Sequence, residues 1–492
     1  MTLADLLGSA FPGKLPSLEV NPLVSAITAD SRRCAPGSLF VAISGTTVDG
    51  SRYAHEAVDR GALGVVTERR LDLPEDVIQI VVPDTRAAVA DLAAAFYGHP
   101  AREMTVVGIT GTNGKTSTSL ILRSIFEAAG APTAVFGTIS YEVGERQVPA
   151  PTTTPDPVSL MGYLAEARDQ GIRHVVMEVS SHALVQQRAR GIEMSAAVFT
   201  NLAPEHLDYH RDFADYRAAK SLLFEGLAPD AFAVLNGEEP ASNHMASRTR
   251  ATVLRYGTNE ASAVRAEKVH CGTSGISFIL CLPGGEAEIR SPLLGRVNVM
   301  NCLAAAAAAH ALGFGLAEIR EGLNSIEGVH GRLEAVDAGQ EFTVLVDYAH
   351  TDHALENVLK SIRSFSGNRR ITTVMGCGGD RDRAKRPRMG RVASELSDRV
   401  VITSDNPRSE DPMAIVRDIL QGLEGCTNFE VEVDRRKAIR AALKDSGTTD
   451  IVLVAGKGHE PYQIIAGVVV PFDDGLVVRE EIRKLGIGEG GE

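Results

Sequence analysis

The chain has 492 residues, of which 44% are apolar and 23% charged, and this composition excludes a disordered, fibrous or membrane protein. Its length allows about three domains of roughly 150 residues, and the absence of a leader-like N-terminus or of an apolar run of about 18 residues predicts a cytoplasmic protein. The formal net charge of −13, with the basic residues dispersed, argues against nucleic-acid or membrane partners, and six scattered cysteines lack metal-site spacing.

Residues 1–98 predict a small α/β domain. The apolar runs SLFVAIS, GALGVVTE and DVIQIVVP alternate with turn sequences, as expected for short strands joined by helices and loops. The sequence GHPAREM that follows is typical of a connector to a second domain.

From residue 105 the pattern changes to strand, glycine-rich loop and helix. TVVGIT predicts the strand, GTNGK the loop and TSTSLILRSIFEAAG the helix, which Gly130 is placed to end. One face of this helix is predicted to carry Leu120, Ile121, Ser124, Ile125 and Ala128. Further apolar runs (TAVFGT, RHVVMEV, AAVFTNL, AFAVLN) alternate with helical stretches, which predicts βαβ units and a mainly parallel sheet. Residues 253–293 indicate a β-rich excursion before an alanine-rich helix.

The last third repeats this strand and helix rhythm. The runs TVLVDYAH, ITTVMGCGG, RVVITSDNP, FEVEVD and DIVLVAGKGHE predict strands, most of which end in polar or glycine-rich residues. In open α/β sheets, ligands bind beyond the carboxyl ends of the strands. We therefore expect one shared crevice, rather than unrelated surface loops, to contain Asp347, His350, Asp380, Arg381, Asp405, Asn406, Arg408, Lys457 and His459.

The stretch GITGTNGKTS is the most specific local motif. Gly108, Gly111, Gly114, Lys115 and Thr116 match G-x-x-x-x-G-K-[ST], in which backbone N–H groups and the lysine bind phosphates and the hydroxyl binds Mg²⁺. With a strand before it and a helix after it, this loop predicts a nucleoside triphosphate site rather than an ordinary glycine turn. Glu178, which follows the VVM strand, is either a second metal ligand or a surface or capping residue.

The order of the motifs along the chain resembles that of the Mur ligase family. The resemblance covers nearly the whole chain and is weakest before residue 100 and within 250–290. It is carried by GTNGKT, TTTPDP, MEVSSHAL, TNLAPEHLDYH, RAAKSLLF, GRVNVMN, GVHGRLE, DYAHT, GCGGDRDRAKRP, SDNPR and GKGHE.

The resemblance implies three α/β domains. These are a small UDP-binding N-terminal domain over 1–98, a central P-loop ATPase domain with a mainly parallel sheet over 99–331, and a C-terminal Rossmann-like domain for the incoming amino acid over 332–492. It further implies a monomeric, ATP- and Mg²⁺-dependent ligase of peptidoglycan precursor synthesis. Its partners would be UDP-N-acetylmuramoyl-L-alanyl-D-glutamate and meso-diaminopimelate, joined through an acyl phosphate.

Carried over residue by residue, the resemblance also implies the ATP and metal site. The catalytic set is Lys115, Lys220, His206 and Glu178, and Mg²⁺ would be held by Thr116, Glu178, His206 and a CO₂-derived carbamate on Lys220. On periodicity alone, Lys220 would be an exposed helix lysine and His206 a surface histidine. Nucleotide contacts are assigned to Gly111, Thr112, Asn113, Gly114, Lys115, Thr116, Ser117, Asn298, Asn301, Arg332, Asp347 and His350, with domain closure completing the site.

The substrate contacts implied by the resemblance form two groups. The UDP-sugar peptide group comprises Ser31, the loop from Gly45 through Thr46 and Thr47 to Val48, and Thr152, Thr153, Thr154, Ser180, Gln186 and Arg188; the hydroxyl-rich TTTPDP could instead be a simple turn. The amino-acid group comprises Arg381, Asp405, Asn406, Pro407, Arg408, Gly456 and Glu460. A planar arginine suits the distal carboxylate of diaminopimelate, so Arg408 favours that amino acid over L-lysine.

The sequence departs from its relatives at two places. Relatives commonly read DYAHTPD, whereas Asp352 and His353 follow Thr351 here, which puts the detailed ATP contacts of this loop in doubt. Pro204 and Glu205 precede His206 where relatives often have Arg-Asp. Rival interpretations are a folylpolyglutamate synthase, a P-loop switch that makes no bond, and a degenerate regulatory homologue.

Overall fold

The structure is a computed structural model that describes residues 1–13, 20–45 and 48–487. Its contacts divide the chain into two compact units, residues 1–264 with 304–322 and residues 265–303 with 323–492. None of the helices in these described ranges combines the length and the apolar character needed to cross a membrane. The domain boundaries predicted at residues 98 and 331 stay predictions.

The first unit begins with a four-stranded parallel sheet. The strands are hydrogen-bonded in chain order, and Asp84 caps the helix after the last of them by accepting from the backbone N–H groups of Arg86 and Ala87. The elements are α1 (Leu3–Ala10), β1 (Ala26–Thr28), β2 (Ser38–Val41), α2 (Ala54–Asp59), β3 (Gly64–Thr67), β4 (Ile78–Val81) and α3 (Thr85–Phe96).

A larger sheet occupies the rest of the first unit. Its elements are β5 (Thr105–Thr110), α4 (Lys115–Ala128), β6 (Thr133–Phe136), β7 (Ser140–Val143), β8 (Arg146–Pro149), α5 (Pro157–Asp169), β9 (His174–Glu178), α6 (Ser181–Val185), β10 (Ala196–Phe199), α7 (Phe213–Glu225), β11 (Phe232–Asn236), α8 (Ser242–Arg248) and β12 (Thr252–Gly257). The order β12-β11-β10-β5-β9-β6 is parallel, and β7 and β8 add antiparallel strands. The predicted mainly parallel sheet is confirmed.

The strand register brings three carboxyl ends to one edge of this sheet. Ile109 of β5 lies opposite Glu178 of β9, and Thr110 lies opposite Phe199 of β10. The loops that leave β5, β9 and β10 therefore meet, which is where a parallel sheet presents ligand-binding residues. The central strands are mostly apolar, as expected for a sheet that is covered on both faces.

The helix after the glycine-rich loop differs in part from its prediction. Gly130 ends it with φ of 72°, as expected, but Ala128 is exposed and the fully buried side chains include Leu122 and Phe126. The reason is a second covering layer, because Phe314 stacks on Phe126 with the ring centroids 4.6 Å apart. The buried surface of α4 is thus wider than the single predicted stripe.

The second unit contains the antiparallel strands β13 to β15, a six-stranded sheet and the two-stranded sheet of β22 and β23. Its elements are β13 (Val264–Gly272), β14 (Gly275–Leu282), β15 (Gly285–Ser291), α9 (Arg296–Ala311), α10 (Leu316–Ser325), β16 (Glu334–Ala335), β17 (Thr343–Asp347), α11 (Asp352–Ser366), β18 (Ile371–Met375), α12 (Lys385–Leu396), β19 (Arg399–Ile402), α13 (Pro412–Leu420), β20 (Phe429–Val431), α14 (Arg435–Lys444), β21 (Ile451–Ala455), β22 (Tyr462–Ile465), β23 (Val468–Pro471) and α15 (Asp474–Lys484). The residues of α9 and α10 are divided between the units.

The six-stranded sheet has the order β16-β17-β21-β18-β19-β20, and all its pairs are parallel except β16 with β17. Apolar side chains fill both faces, with α11, α12 and α13 on one side and α14 and α15 on the other. The carboxyl ends of β17, β18, β19 and β21 carry the DYAH, GCGG, SDNPR and GKGHE motifs. The predicted strands of the last third are confirmed.

Candidate active site

The glycine-rich loop after β5 adopts a backbone that side chains would obstruct. Gly111 has φ of 149°, and a Cβ there would lie 1.9 Å from Oγ1 of Thr200. Gly114, with φ of 86°, precedes the first turn of α4, which carries Thr116. Lys115 Nζ donates to the carbonyl oxygen of Gly111 at 2.9 Å, so the lysine lies over the loop. This is the arrangement that phosphate binding by backbone N–H groups requires.

The segment after β10 holds this loop in place. Oγ1 of Thr200 donates to the carbonyl of Asn113 at 2.6 Å, and Nδ2 of Asn201 donates to the same carbonyl at 3.0 Å. In return, the backbone N–H of Asn113 donates to Oδ1 of Asn201 at 2.9 Å. Sequence reasoning quoted TNLAPEHLDYH as a motif but gave Thr200 and Asn201 no role.

Glu178 is fully buried at the end of β9. Its two oxygens accept from the backbone N–H and from the hydroxyl of Thr138, both at 2.9 Å. That hydroxyl lies 3.2 Å from Oγ1 of Thr153, and a Cβ at Gly137 would lie 2.4 Å from Oε1 of Glu178. Glu178 is therefore neither a surface nor a capping residue, and sequence reasoning missed Gly137 and Thr138.

Lys220 of α7 is buried, with 2% of its surface exposed, although periodicity predicted an exposed lysine. Its Nζ donates to the carbonyl of Gly111 at 2.8 Å and lies 4.5 Å from the ring centroid of Tyr216. Burial, reinforced by the charge of Lys115, lowers the pKa of Lys220 well below its usual value. Lys115 and Lys220 thus converge on one carbonyl oxygen of the phosphate loop.

His206 lies in the loop after β10 with φ of 56°. Its ring meets that of His182 edge-on with the centroids 4.9 Å apart, and the ring of Tyr216 lies 6.2 Å away. Nε2 of His206 is 3.7 Å from a carboxylate oxygen of Glu205, one of the two residues that depart from the relatives' pattern. The imidazole is partly exposed and placed beside the helix that carries Lys220.

A cavity of about 560 Å³ lies between the N-terminal sheet region and the larger sheet of the first unit. The predicted substrate residues in its lining are Val48, Thr152, Gln186 and Arg188, together with Gly45 from the predicted UDP loop. Arg188 donates to Oε1 of Gln186 at 2.8 Å and to the carbonyl of Thr154 at 2.9 Å. Thr46 and Thr47 lie outside the described residues.

The remaining predicted substrate residues lie outside this lining. Oγ1 of Thr154 donates to the carbonyl of Glu178 at 2.8 Å and accepts from the backbone N–H of Ser180 at 3.1 Å. Thr153 contacts Thr138, as described above. Ser31 donates to Oε2 of Glu56 at 2.9 Å, within the first sheet region.

In the second unit, the predicted nucleotide residues lie on α9 and around the carboxyl end of β17. Asn301 donates from Nδ2 to Oδ1 of Asn298 at 2.9 Å on α9. Asp347, at the end of β17, accepts from the backbone N–H groups of Leu333 at 2.7 Å and Ala349 at 2.8 Å, and burial raises its pKa. These bonds fix the turn that carries the DYAH motif.

An aromatic side chain organises the rest of the DYAH motif. The guanidinium of Arg332 lies 4.7 Å from the ring centroid of Tyr348, and the rings of His350 and His459 lie 4.6 Å and 4.8 Å from it. Thr351 caps α11, and Asp352, one of the departures from the relatives, pairs with Arg388 at 3.0 Å. The helix start is therefore kept without a proline.

The DNPR motif forms a compact polar site with GKGHE. Asn406 donates from Nδ2 to Oε2 of Glu460 at 2.7 Å. Arg408 has φ of 54°, its backbone N–H donates to the carbonyl of Ile464 at 2.9 Å, and its Nη1 donates to the carbonyl of Gly379 at 2.7 Å. The DNPR loop thus bonds both the GKGHE loop, through Asn406, and the loop of Gly379, through Arg408; the substrate roles predicted for these residues stay predictions.

Close packing fixes the backbone around this site. A Cβ at Gly456, which has φ of 119°, would lie 2.6 Å from Oδ2 of Asp405. Burial raises the pKa of Glu460, the negative charge of Asp405 adds to this, and Lys457 opposes it. Lys457 is fully buried, a position that sequence reasoning did not foresee. Pro407 lies in the loop after β19, with Asp405. Arg381 lies in the loop after β18 and donates to the carbonyl of Asp380 at 3.2 Å.

Comparison with known proteins identifies the family. Three family models match consecutive parts of the chain: "Mur ligase family, catalytic domain" over 23–97, "Mur ligase middle domain" over 109–309 and "Mur ligase, glutamate ligase domain" over 331–458. A UDP-N-acetylmuramoyl-L-alanyl-D-glutamate--2,6-diaminopimelate ligase of Geobacillus thermodenitrificans is 46% identical over 98% of this chain and 100% of its own length. The chain belongs to the Mur ligase family.

Two further similar proteins support the assignment of this chain to the Mur ligase family. A protein of the same name from Geobacter metallireducens is 44% identical over 98% of each chain. A solved structure, also of that name, is 32% identical, covers 99% of this chain and 100% of its own, and superposes with a TM-score of 0.72. The predicted family and the three-domain α/β fold with mainly parallel sheets are confirmed.

More distant structures share the fold of this Mur ligase. A MurF ligase from Thermotoga maritima in complex with ADP has 17% identity and a TM-score of 0.62, covering 94% of this chain and 96% of its own. A folylpolyglutamate synthase from Mycobacterium tuberculosis, in complex with ADP and AMPPCP, has 20% identity and a TM-score of 0.60, covering 83% of this chain and 95% of its own. The roles assigned above to individual residues stay predictions.

Proposed function

We propose that this protein joins meso-diaminopimelate to the γ-carboxylate of the D-glutamyl residue of UDP-N-acetylmuramoyl-L-alanyl-D-glutamate, using ATP. The observation that carries the proposal is the polar site at the ends of β19 and β21, where Asn406 bonds the carboxylate of Glu460 and the nearby Arg408 donates to the carbonyl of Gly379. The near-full-length relatives named as diaminopimelate ligases support it. We place the reaction in the cytoplasm, where ATP and nucleotide-linked precursors are found.

The choice of amino acid depends on Arg408. Diaminopimelate differs from lysine by a distal carboxylate, and a planar guanidinium binds a carboxylate through two parallel hydrogen bonds. The strained backbone of Arg408 aims its side chain across the loop of Gly379, and Glu460 is suited to an ammonium group of the same amino acid. L-lysine is the alternative substrate, since it shares the ammonium groups but lacks the distal carboxylate.

The first chemical step brings two anions together. An oxygen of the substrate γ-carboxylate attacks the γ-phosphorus of ATP, the bond to the β-phosphate oxygen breaks, and an acyl phosphate and ADP form. Charge stabilisation is what such a step needs, rather than a strong base. Lys115 supplies a cation at the phosphate loop, and the backbone N–H groups at the start of α4 provide fixed donors. The N–H groups of Thr112 and Asn113 are bonded to Asn201 instead and hold the loop in shape.

In the second step, the amine of the incoming amino acid attacks the acyl carbon. A tetrahedral intermediate forms, the carbon–oxygen bond to phosphate breaks, and the proton lost by the nitrogen is taken up by the departing phosphate. Glu460 and Asn406 orient the amino acid, whereas Thr152, Gln186 and Arg188 hold the peptide end of the other substrate.

The chemistry of Glu178 supports the proposal of a magnesium site. Glu178 is a fully buried carboxylate whose two oxygens are bonded to Thr138, and among the described residues it has no cationic partner. Buried charges are paired or coordinate a metal, and Mg²⁺ prefers oxygen ligands. Thr116, Glu178, His206 and a carbamate on Lys220 would hold Mg²⁺, which would neutralise phosphate charge when bound.

Lys220 is suited to carbamylation because its burial and the charge of Lys115 favour the neutral amine, the form that reacts with CO₂. We expect protein incubated with ¹³C-bicarbonate to show one carbamate carbon signal by NMR that is missing in Lys220→Arg. A matched Lys360→Arg variant, in which an exposed lysine of α11 is changed, should keep the signal. Retention of the signal in Lys220→Arg would contradict the assignment.

Phosphate release by the purified protein tests the ligase against a P-loop switch. Release should require ATP, Mg²⁺, the UDP-linked dipeptide and the amino acid together, because the acyl phosphate is consumed by the amine. Steady ATP hydrolysis with no dependence on either co-substrate would favour the switch, and no release under any combination would favour a degenerate homologue.

A further inference from the structure

The cavity of about 560 Å³ receives two arginines from separate parts of the chain. Arg86 lies in the first turn of α3, and Arg188 follows α6. Gly45 and Val48, which the sequence assigns to the UDP end of the substrate, line the cavity as well. Arg86 was given no role by sequence reasoning.

Among the described residues, neither guanidinium is paired with a carboxylate. Arg188 donates to the amide oxygen of Gln186 and to the carbonyl of Thr154. Arg86 donates from Nη2 to the carbonyl of Ser44 at 3.1 Å. These acceptors are all neutral, whereas a charge that is partly removed from water normally has an opposite charge nearby.

The one carboxylate in the cavity lining is engaged elsewhere. Asp156 is the N-cap of α5, and its Oδ1 accepts from the backbone N–H groups of Val158 and Ser159, both at 3.1 Å. Burial lowers the pKa of Arg188; the negative charge of Asp156 opposes this shift, and the positive charge of Arg86 adds to it. Two guanidinium groups thus face one carboxylate among the described lining residues. The cavity therefore holds an excess of positive charge, in a chain whose net charge is −13.

We propose that Arg86 binds the diphosphate of the nucleotide-linked substrate, while Arg188 serves the carboxylate-bearing peptide end. This inference rests on the proposed function, which supplies a ligand with two anionic ends. Arg86 is the better match to the diphosphate because it is anchored to Ser44, next to Gly45 of the predicted UDP loop. Its planar fork can bond two phosphate oxygens at once.

Calorimetric titration of the full-length protein with UDP and with uridine tests this assignment. The wild type should bind UDP more tightly than uridine. Arg86→Gln should weaken UDP binding by about 10- to 100-fold, the effect of losing charge-assisted hydrogen bonds, and leave uridine binding unchanged. Arg86→Lys keeps the charge but loses the planar guanidinium, so its affinity for UDP should lie between that of the wild type and that of Arg86→Gln.

Two variants serve as controls. Arg102→Gln removes an equal charge from an exposed position outside the cavity lining and should leave UDP binding unchanged. Arg188→Gln should keep UDP affinity but raise KM for the complete UDP-linked dipeptide. The inference would be overturned if Arg86→Gln bound UDP as tightly as the wild type does. It would also be overturned if the substitution weakened the binding of UDP and of uridine equally. Failure of the wild type to bind UDP would overturn the proposed function as well.

Discussion

At the scale of single residues, the phosphate loop depends on a glycine that no other residue can replace. Gly111 combines φ of 149° with a contact in which a Cβ would overlap the hydroxyl of Thr200 at 1.9 Å. Thr200 is itself fixed by its bond to the carbonyl of Asn113. Thr200 cannot move away from an added Cβ at residue 111 without breaking its hydrogen bond to the phosphate loop.

We therefore expect Gly111→Ala to weaken ATP binding by about 100-fold or more, because the loop N–H groups lose their alignment. Gly130→Ala is a matched control, since Gly130 has φ of 72° but an added Cβ would meet nothing within 4 Å. It should cost about 1 kcal/mol of stability and leave ATP affinity unchanged. Titration with ATP and thermal unfolding separate the two effects, and wild-type ATP affinity in Gly111→Ala would contradict the role given to this glycine.

Sequence reasoning reached the chemistry of these residues but not their surroundings. The motif around Lys115 is local in the chain, so spacing was enough to find it. The burial of Lys220 depends on the carbonyl of Gly111, which is far away in the sequence, and helix periodicity carries no information about that contact. Lys457 is also fully buried, although its partners, Glu460 and the carbonyl of Tyr462, are close to it in the sequence.

At the scale of elements, α12 and α13 are joined by a buried arginine. Arg386 is fully buried and donates to Glu410 at 2.8 Å and to Asp418 at 2.8 Å. These bonds, together with the backbone N–H of Asp380, lower the pKa of Glu410 to about 2. The ion cluster lies beside the loops that carry Asp380 and Arg408.

Because the pKa of Glu410 in the folded protein lies below its usual 4.5, its contribution to stability is complete above about pH 4.5 and is lost as the pH falls towards 2. Glu410→Gln should lower the free energy of unfolding by about 1 to 2 kcal/mol near pH 6, and the difference from wild type should shrink on acidification. Urea titrations at several pH values measure this.

Glu430→Gln provides the control. Glu430 pairs with Arg399, but its side chain is 46% exposed, so its replacement should change the free energy of unfolding very little. A difference between Glu410→Gln and wild type that grows as the pH falls would contradict the assigned direction.

Strand prediction from periodicity succeeded where strands are apolar and long, as in β5, β9, β17 and β21. It missed β7, β8, β22 and β23, which form short antiparallel pairs. In β7 and β8, charged residues interrupt the apolar pattern, and antiparallel hairpins with one open face need not be uniformly apolar. The buried face of α4 was predicted too narrowly, because Phe314 stacks on Phe126 and so buries a part of the helix outside the predicted face.

At the scale of the whole molecule, one chain carries two polar sites. The first unit carries the phosphate loop with Glu178, His206 and Lys220, and the second carries the DNPR and GKGHE site. A switch that only binds ATP has no use for the second site. A ligase needs both, because one site activates a carboxylate and the other presents an amine.

The fold at this scale was predictable because each βαβ unit is local in sequence, and the motif order identified the family. The domain boundaries and the detailed roles of the site residues stay predictions. Thr46 and Thr47 fall outside the described residues.

The most direct test is mass analysis of the product formed from UDP-N-acetylmuramoyl-L-alanyl-D-glutamate, ATP and Mg²⁺ with meso-diaminopimelate and L-lysine supplied together at equal concentration. The account predicts a single product heavier than the substrate by one diaminopimelyl residue, and a shift towards the lysine product in Arg408→Leu. A lysine product from the wild type would contradict the role of Arg408, and no new product would contradict the ligase assignment.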